Sequence, residues 1–409
     1  MRHVHELNAL VHGSDLSLAT RRLMDICDEY PALHDLRPAA MSLRAEYNVS
    51  RDLGAAELTG SVGTACSERA RAIVQTIVQR AGSLNDSFPT EEGRDRAVVY
   101  EATQLTKRFS SRGHRFQMGP IDLELRTGQI TGLVGENGNG KTTLLRQVAG
   151  LLDHNEGTAR YPLMGDDPYL IKQGIAWIPQ RSVRWYGTLM QNLRFVAAVH
   201  GILGVDNEDR VSYTLHRLGL TRFEHLRWSE LSSGYKLRFE LAKMVVWRPR
   251  ILVLDEPIAN LDLQAQQLFL QDLKFLAASQ RNPISVILSS QQLHEIEAVA
   301  DNIIFLKNGK PMFSGAVASF DQDRASNVFE IKLQSPDASG GEFDRARLVQ
   351  ALGSERVIHL DDTGLIFRLT TPREVTGKQV LNAIGAADLE VSYFRDISTS
   401  TRKLFHQDT

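Results

Sequence analysis

The stretch "ITGLVGENGNGKTTLLRQVAGLL" (Ile130–Leu152) runs from a short apolar segment through a glycine-rich loop into an amphipathic one. Gly135 to Thr142 fit G-x-x-x-x-G-K-[ST], here between a strand pattern and a helix pattern. Glycines at 135, 138 and 140 let the backbone curl so that its N–H groups point inward at phosphate oxygens. The positive end of the following helix adds to that field. Lys141 has the reach for the outer phosphates of a nucleotide, and the Thr142 hydroxyl suits Mg²⁺. A surface turn with an unrelated lysine would lack this strand–loop–helix setting.

A second stretch, "RILVLDEP" (Arg250–Pro257), is an apolar strand ending in two acids. An acid at the end of a strand beside a phosphate loop can hold the water shell of Mg²⁺, which assigns Asp255. Glu256, next in line, is placed to polarise an attacking water. Alone, the two acids would read as surface turn residues.

The whole chain has 409 residues, 42% hydrophobic and 23% charged, enough for two or three domains of ordinary globular composition. A formal net charge of -2 gives no basic stripe, so no nucleic-acid partner is expected. Cys27 and Cys66 lack metal-ligand spacing and fit a reducing cytosol. No window approaches the roughly 18 apolar residues of a membrane span, and the N-terminus does not read as a secretory signal. His3, His5 and His12 are scattered, without a second ligand cluster to suggest a metal.

Periodicity divides the chain. Residues 1–85 are expected to form a small all-α domain, with one helix near Asp15–Tyr30 and another over Ser67–Gly82 capped by Ser67. Residues 86–97 are polar and breaker-rich, a linker. From 98 to 320 strands and helices alternate, the mark of an α/β domain. Residues 326–409 follow as a small α+β domain in the order β-α-β-β-α-β, with a turn at Asp362–Gly364 and a last helical piece near 400–407.

Between the two phosphate-site motifs lies "WSELSSGYKLRFELAKMVVWRPRILVLDEP". It resembles the signature stretch of ABC-type ATPases, the ATP-binding proteins of ABC transporters, whose usual form is LSGGQ followed by a helix and the acidic strand. Leu231, Ser232, Ser233, Gly234 and Tyr235 fill that slot, with Arg238 and Pro249 at two further family positions. Phe109, in "TKRF", matches the aromatic that stacks on adenine. Gln180, in "WIPQ", matches the glutamine that senses Mg²⁺ and the γ-phosphate, and Asp262, in "IANLD", the loop linking two subunits' sites. "GTLMQNLRFVAAVHGI" resembles the helical subdomain of ABC-2-type exporter ATPases. The resemblance covers about residues 98–320. It implies an α/β P-loop ATPase domain with a helical subdomain, ATP and Mg²⁺ as ligands, and Asn137 and Thr143 within the nucleotide site.

The same resemblance implies a dimer. A phosphate loop covers one side of a nucleotide, and transition-state charge needs donors on the other. In the family, a signature helix from the partner subunit supplies them, so Ser232, Ser233 and Gly234 are expected to act in trans. Ser233 replaces a family glycine and crowds the loop, while Tyr235 replaces a glutamine. In "SSQQLHEIE", Gln291 stands where the family carries a switch histidine. A glutamine amide holds geometry through hydrogen bonds but carries no charge. His294, one turn on, either substitutes for the switch or lies on the surface. Trp185 and Tyr186 are either anchors for a membrane subunit or packing within the helical subdomain.

The expected function is the ATPase subunit of an exporter-type ABC transporter. It would dimerise, as a homodimer, on the cytoplasmic face beneath separate membrane-spanning subunits. Lys141, Glu256 and Gln291 are its expected catalytic set. A soluble regulatory ABC ATPase, or a nucleotide-gated scaffold acting through the N-terminal segment, is the alternative.

Overall fold

The computed structural model describes residues 16–53, 61–81, 96–111, 114–181, 183–259, 261–279, 282–291, 293–320, 326–333, 341–362, 366–387 and 389–396. Most of 86–97, the Asp362–Gly364 turn beyond Asp362, the 400–407 piece and the N-terminal histidines lie outside them. Two compact units emerge, one of residues up to 291 together with 304–313, the other of 292–303 and 314 onward.

The first unit begins with α1 (Leu16–Glu29), α2 (Arg37–Leu53) and α3 (Ser61–Ala81). Leu23, Met24, Ile26, Leu33, Leu43 and Ile77 make their common core, and Tyr213 from the later α/β segment joins it. The third helix starts at Ser61, not at the expected Ser67 cap. Ser67 lies between Cys66 and Ala70, both buried in that core, so packing extends the helix past a favourable capping residue.

Strands β1 (Val98–Ser111) and β2 (His114–Arg126) form an antiparallel pair, placing Phe109 opposite Phe116. Then come β3 (Ile130–Val134), α4 (Lys141–Val148), β4 (Glu156–Arg160), α5 (Pro168–Gly174) and β5 (Ile175–Ile178). A helical insertion follows, with α6 (Leu189–Val199), α7 (Gly204–Arg217) and α8 (Ser233–Val245). Thr188 opens α6 with a capping box, accepting from Gln191 N while its own N–H donates to the Gln191 side chain. The chain re-enters the sheet at β6 (Ile251–Leu254), crosses over by α9 (Leu263–Ala277) and returns at β7 (Ser285–Ser290). Next are α10 (Leu293–Glu297), β8 (Asn302–Lys307), β9 (Lys310–Ala316) and α11 (Val317–Phe320).

The six-stranded sheet has the order β5-β6-β7-β3-β8-β9, and β5, β6, β7 and β3 pair in parallel. Every residue of β3, β6 and β7 is buried, which is why these strands are mostly apolar and do not alternate with exposed polar residues. The carboxyl ends of β3, β6 and β7 bring Gly135, Asp255 and Ser289 to one edge, where open parallel sheets bind ligands.

In the second unit, to which α10 and α11 also belong, β10 (Ser326–Leu333), α12 (Gly341–Leu352), β11 (His359–Asp362), β12 (Phe367–Pro372), α13 (Gly377–Ala386) and β13 (Val391–Asp396) follow in order. Its four strands lie antiparallel as β11-β12-β10-β13 over Phe329, Ile331, Leu348, Leu369 and Val380. Among the described residues, no helix is long and apolar enough to cross a membrane.

Candidate active site

The phosphate loop hangs between β3 and α4. Gly138 and Gly140 take left-handed backbone angles, φ 85° and 96°, open to glycine at little cost. A Cβ on Gly135 would meet the Leu306 carbonyl at 2.6 Å, so this loop has to be glycine where it leaves the sheet. Asn139 accepts from Asn308 N at 2.9 Å and fixes the loop to the neighbouring turn. Asn137 and Gly138 stay exposed.

Lys141 is buried at the first position of α4. Its Nζ donates to the carbonyls of Gly135 (2.7 Å) and Glu136 (3.1 Å) and lies 3.1 Å from Glu256 Oε1. Next to it, Thr142 Oγ1 donates to Asp255 Oδ2 at 2.8 Å. Ser289 completes this corner by donating to Asp255 Oδ1 and accepting from Glu256 N, both at 2.9 Å. Glu256 has a left-handed backbone, φ 46°, a sparsely populated region for a side-chain-bearing residue and one that functional sites often hold. Its Oε2 accepts from the amides of Gln180 and Gln291, each at 2.9 Å. A carboxylate only accepts, so each glutamine must present its NH₂.

Lys141, Thr142, Gln180, Asp255, Glu256 and Gln291 thus converge on one cluster. Gln291, singled out for replacing a histidine, holds the proposed base directly. The His294 side chain lies outside the described residues. Ser289 was not foreseen. Its signal was a hydroxyl at the end of "SVILSS", an apolar strand flanking the acidic one in the sheet.

Phe109 is 40% exposed on β1 and stacks on Phe116, with ring centroids 6.4 Å apart and Lys107 Nζ 5.8 Å above its ring. Phe116 was also missed; it lines a hollow with Arg115, Asn137, Gly138 and Asn308 beside the phosphate loop. Thr143 is half-buried in the first turn of α4.

The signature residues gather elsewhere. Ser232 caps α8 by accepting from Tyr235 N at 3.5 Å, and Asp262 caps α9 by accepting from Ala265 N at 2.8 Å. Ser232, Ser233, Gly234 and Asp262 border a hollow of about 370 Å³ that no phosphate-loop residue lines. Tyr235 also lines this hollow and packs on Phe223, centroids 4.1 Å apart. Trp185 stacks on Phe239 at 4.2 Å and donates to Glu240, a packing role, whereas Tyr186 is 89% exposed.

The Thr142 hydroxyl and the Asp255 carboxylate are hard oxygen donors in contact. They fit Mg²⁺, a cation that keeps most of its waters and binds through one or two protein groups plus phosphate. Among the described residues there is no cluster of three or more His, Cys, Asp or Glu that could cage a metal alone.

The family model described as ABC transporter matches residues 118–259, which carry the phosphate loop, Gln180, the signature and the acidic strand. The chain is 28% identical over 223 residues to the uncharacterised ABC transporter ATP-binding protein YxlF of Bacillus subtilis, covering 54% of this chain and 73% of that one. It is 28% identical over 300 residues to the probable multidrug ABC transporter ATP-binding protein YbhF of Escherichia coli, 72% of this chain and 50% of YbhF. In fold it is similar to cbiO1 from Clostridium perfringens, with a TM-score of 0.50 at 23% identity over 55% of this chain and 91% of that one. Residues 118–259 therefore carry an ABC transporter domain, and the chain is similar to ABC transporter ATP-binding proteins.

Proposed function

We propose that this ATPase subunit powers export, working as a homodimer on the cytoplasmic face beneath separate membrane-spanning subunits. The observation that carries the reading is Glu256, held at one oxygen by two amides and at the other by Lys141. Entering phosphates draw Lys141 off Glu256 and off the loop carbonyls, toward stronger charge. Oε1 of Glu256 is then released to a water, while Gln180 and Gln291 keep the carboxylate aimed. Glu256 takes the proton of that water as it attacks the γ-phosphate. Mg²⁺, held by Thr142 and Asp255 with Gln180 nearby, would neutralise charge on the phosphates. Phe109 stacks the base, and Gly135, Asn137, Gly138, Gly140 and Thr143 wrap the phosphates.

The far side of each nucleotide is closed by Ser232, Ser233 and Gly234 of a second subunit, with Asp262 at the dimer interface. The hollow before α8 and α9, bordered by two helix N-termini, supports that role. Export is favoured by the multidrug description of YbhF. A membrane partner is favoured by apolar side chains left on the insertion. Phe195 and Val199, one turn apart on α6, are 68% and 64% exposed, and Leu203 is 66% exposed. Residues 1–85 and 326–409 are proposed as accessory domains, all-α and ferredoxin-like, around the ATPase domain at 98–320.

Expressing Glu256→Gln, which stalls the ATP-bound dimer, in its native cells and identifying what co-purifies from detergent-solubilised membranes tests this. A stoichiometric multi-spanning protein is the expected catch. Soluble partners alone would replace the transporter reading with that of a regulatory ATPase.

A further inference from the structure

Arg21, Asp25 and Asp28 share one face of α1, at steps of four and three residues. Each reaches a different part of the ATPase segment. Arg21 Nη1 lies 2.9 Å from Asp272 Oδ1 on α9, with both side chains fully buried. Asp25 accepts from Arg217 Nε at 2.6 Å and Nη2 at 2.9 Å, and from the Tyr213 hydroxyl at 3.0 Å, both residues on α7. Asp28 accepts from Arg248 Nη2 at 2.8 Å in the turn leading into β6.

These anchors belong to two structural layers. Helix α9 is the crossover between β6 and β7 of the sheet that carries the phosphate loop. Helix α7 belongs to the insertion, as does α8, whose first turn holds Ser232 and Gly234. Arg238 of α8 also meets Asp272, at 3.4 Å. At the tips of α8 and α9, a Cβ on Gly234 would lie 3.4 Å from that of Ala265, an ordinary contact. One helix of the N-terminal segment therefore ties sheet and insertion together through two buried ion pairs, one of them bidentate, and a third that is partly buried, which constrain orientation as well as distance.

We propose that α1 is a strut and that Arg21, Asp25 and Asp28 are positioning residues, setting the signature end of α8 against the sheet that carries the phosphate loop. Rotation of the insertion would have to break or re-form the Asp25–Arg217 pair while Arg21 stays on Asp272. The proposal rests on the reading of Ser232 and Gly234 as phosphate contacts in trans.

The test uses the full chain with Asp25→Asn, measuring nucleotide Kd with a fluorescent ATP analogue and kcat by phosphate release per folded molecule. A strut predicts kcat down roughly tenfold, Kd within about twofold of wild type, and recovery of kcat in Asp25→Glu. Unchanged kcat overturns it, as does a parallel loss of Kd and kcat, the mark of a merely structural role. Should Asp25→Asn fail to fold, Asp209→Asn decides. Asp209 is 54% exposed on α7 and pairs at 2.7 Å with Arg37, which also reaches Asp28. A drop in kcat of about two- to threefold there supports the strut, and wild-type turnover overturns it. Gly234→Asp serves as the control for the underlying reading. If it leaves turnover intact, the signature role and the strut both fall; if it abolishes turnover while the strut variants are silent, only the strut falls.

Discussion

Asp255 and Asp272 are both buried carboxylates on neighbouring elements of one unit, 3% and 0% exposed, but they face opposite surroundings. Asp255 accepts from two neutral hydroxyls, Thr142 and Ser289, and no cation pairs with it among the described residues. Asp272 is flanked by Arg21 and Arg238 and lies within the field of Arg217 and Arg44. A buried charge without a countercharge is costly, so Asp255 suits a site that acquires a cation with its substrate. The Asp272 carboxylate already has its countercharges without a ligand, supplied by arginines from other helices.

The sharpest break in that contrast comes from Asp272→Asn. It would leave Arg21 and Arg238 buried without their carboxylate and should cost about 3–5 kcal/mol, read from urea unfolding. Burial pushes the Asp272 carboxyl up, but the guanidiniums of Arg21, Arg238, Arg217 and Arg44 outweigh it and hold it below the usual carboxylate range. Its contribution is therefore full above the unfolded value of about 3.9 and is lost as pH falls through the lower folded value. Unfolding free energy of the wild type should decline over that acid range, and the decline should be shallower in Asp272→Asn. Equal stability of the two proteins at neutral pH would erase the distinction.

At the other cluster, Gln291→His should raise steady-state ATP turnover roughly tenfold, because a charge-assisted contact is worth about 1.5–3 kcal/mol. Flat or lower turnover would mean that the amide pair on Glu256 is the better arrangement here. The smallest effect is expected from Ser289→Ala. Loss of its bonds to Asp255 and Glu256 should cost about 1 kcal/mol, a roughly fivefold slower phosphate release with little change in stability.

The phosphate-loop fold was legible because its chemistry forces residue types into fixed local spacings. Gly135, Lys141 and Thr142 fall within one loop and helix start, and Asp255 and Glu256 end one strand. Ser289 was not legible, since a serine at a strand end has no distinctive pattern until the sheet places it beside β6. The α1 contacts were invisible for a related reason. Arg21 and Asp272 look like ordinary surface charges in sequence, and only folding brings such distant positions together. The start of α3 was misjudged because core packing of Cys66 and Ala70 outweighed the capping preference of Ser67.

The central claim is that Glu256, aimed by Gln180 and Gln291, is the base of ATP hydrolysis. Phosphate release by the purified chain and by Glu256→Gln, beside their ATP-dependent dimerisation measured by light scattering, tests it most directly. The account predicts hydrolysis by the wild type, a loss of about 10²–10⁴-fold in the variant, and a variant dimer that persists in ATP. A variant that hydrolyses ATP at the wild-type rate would contradict it.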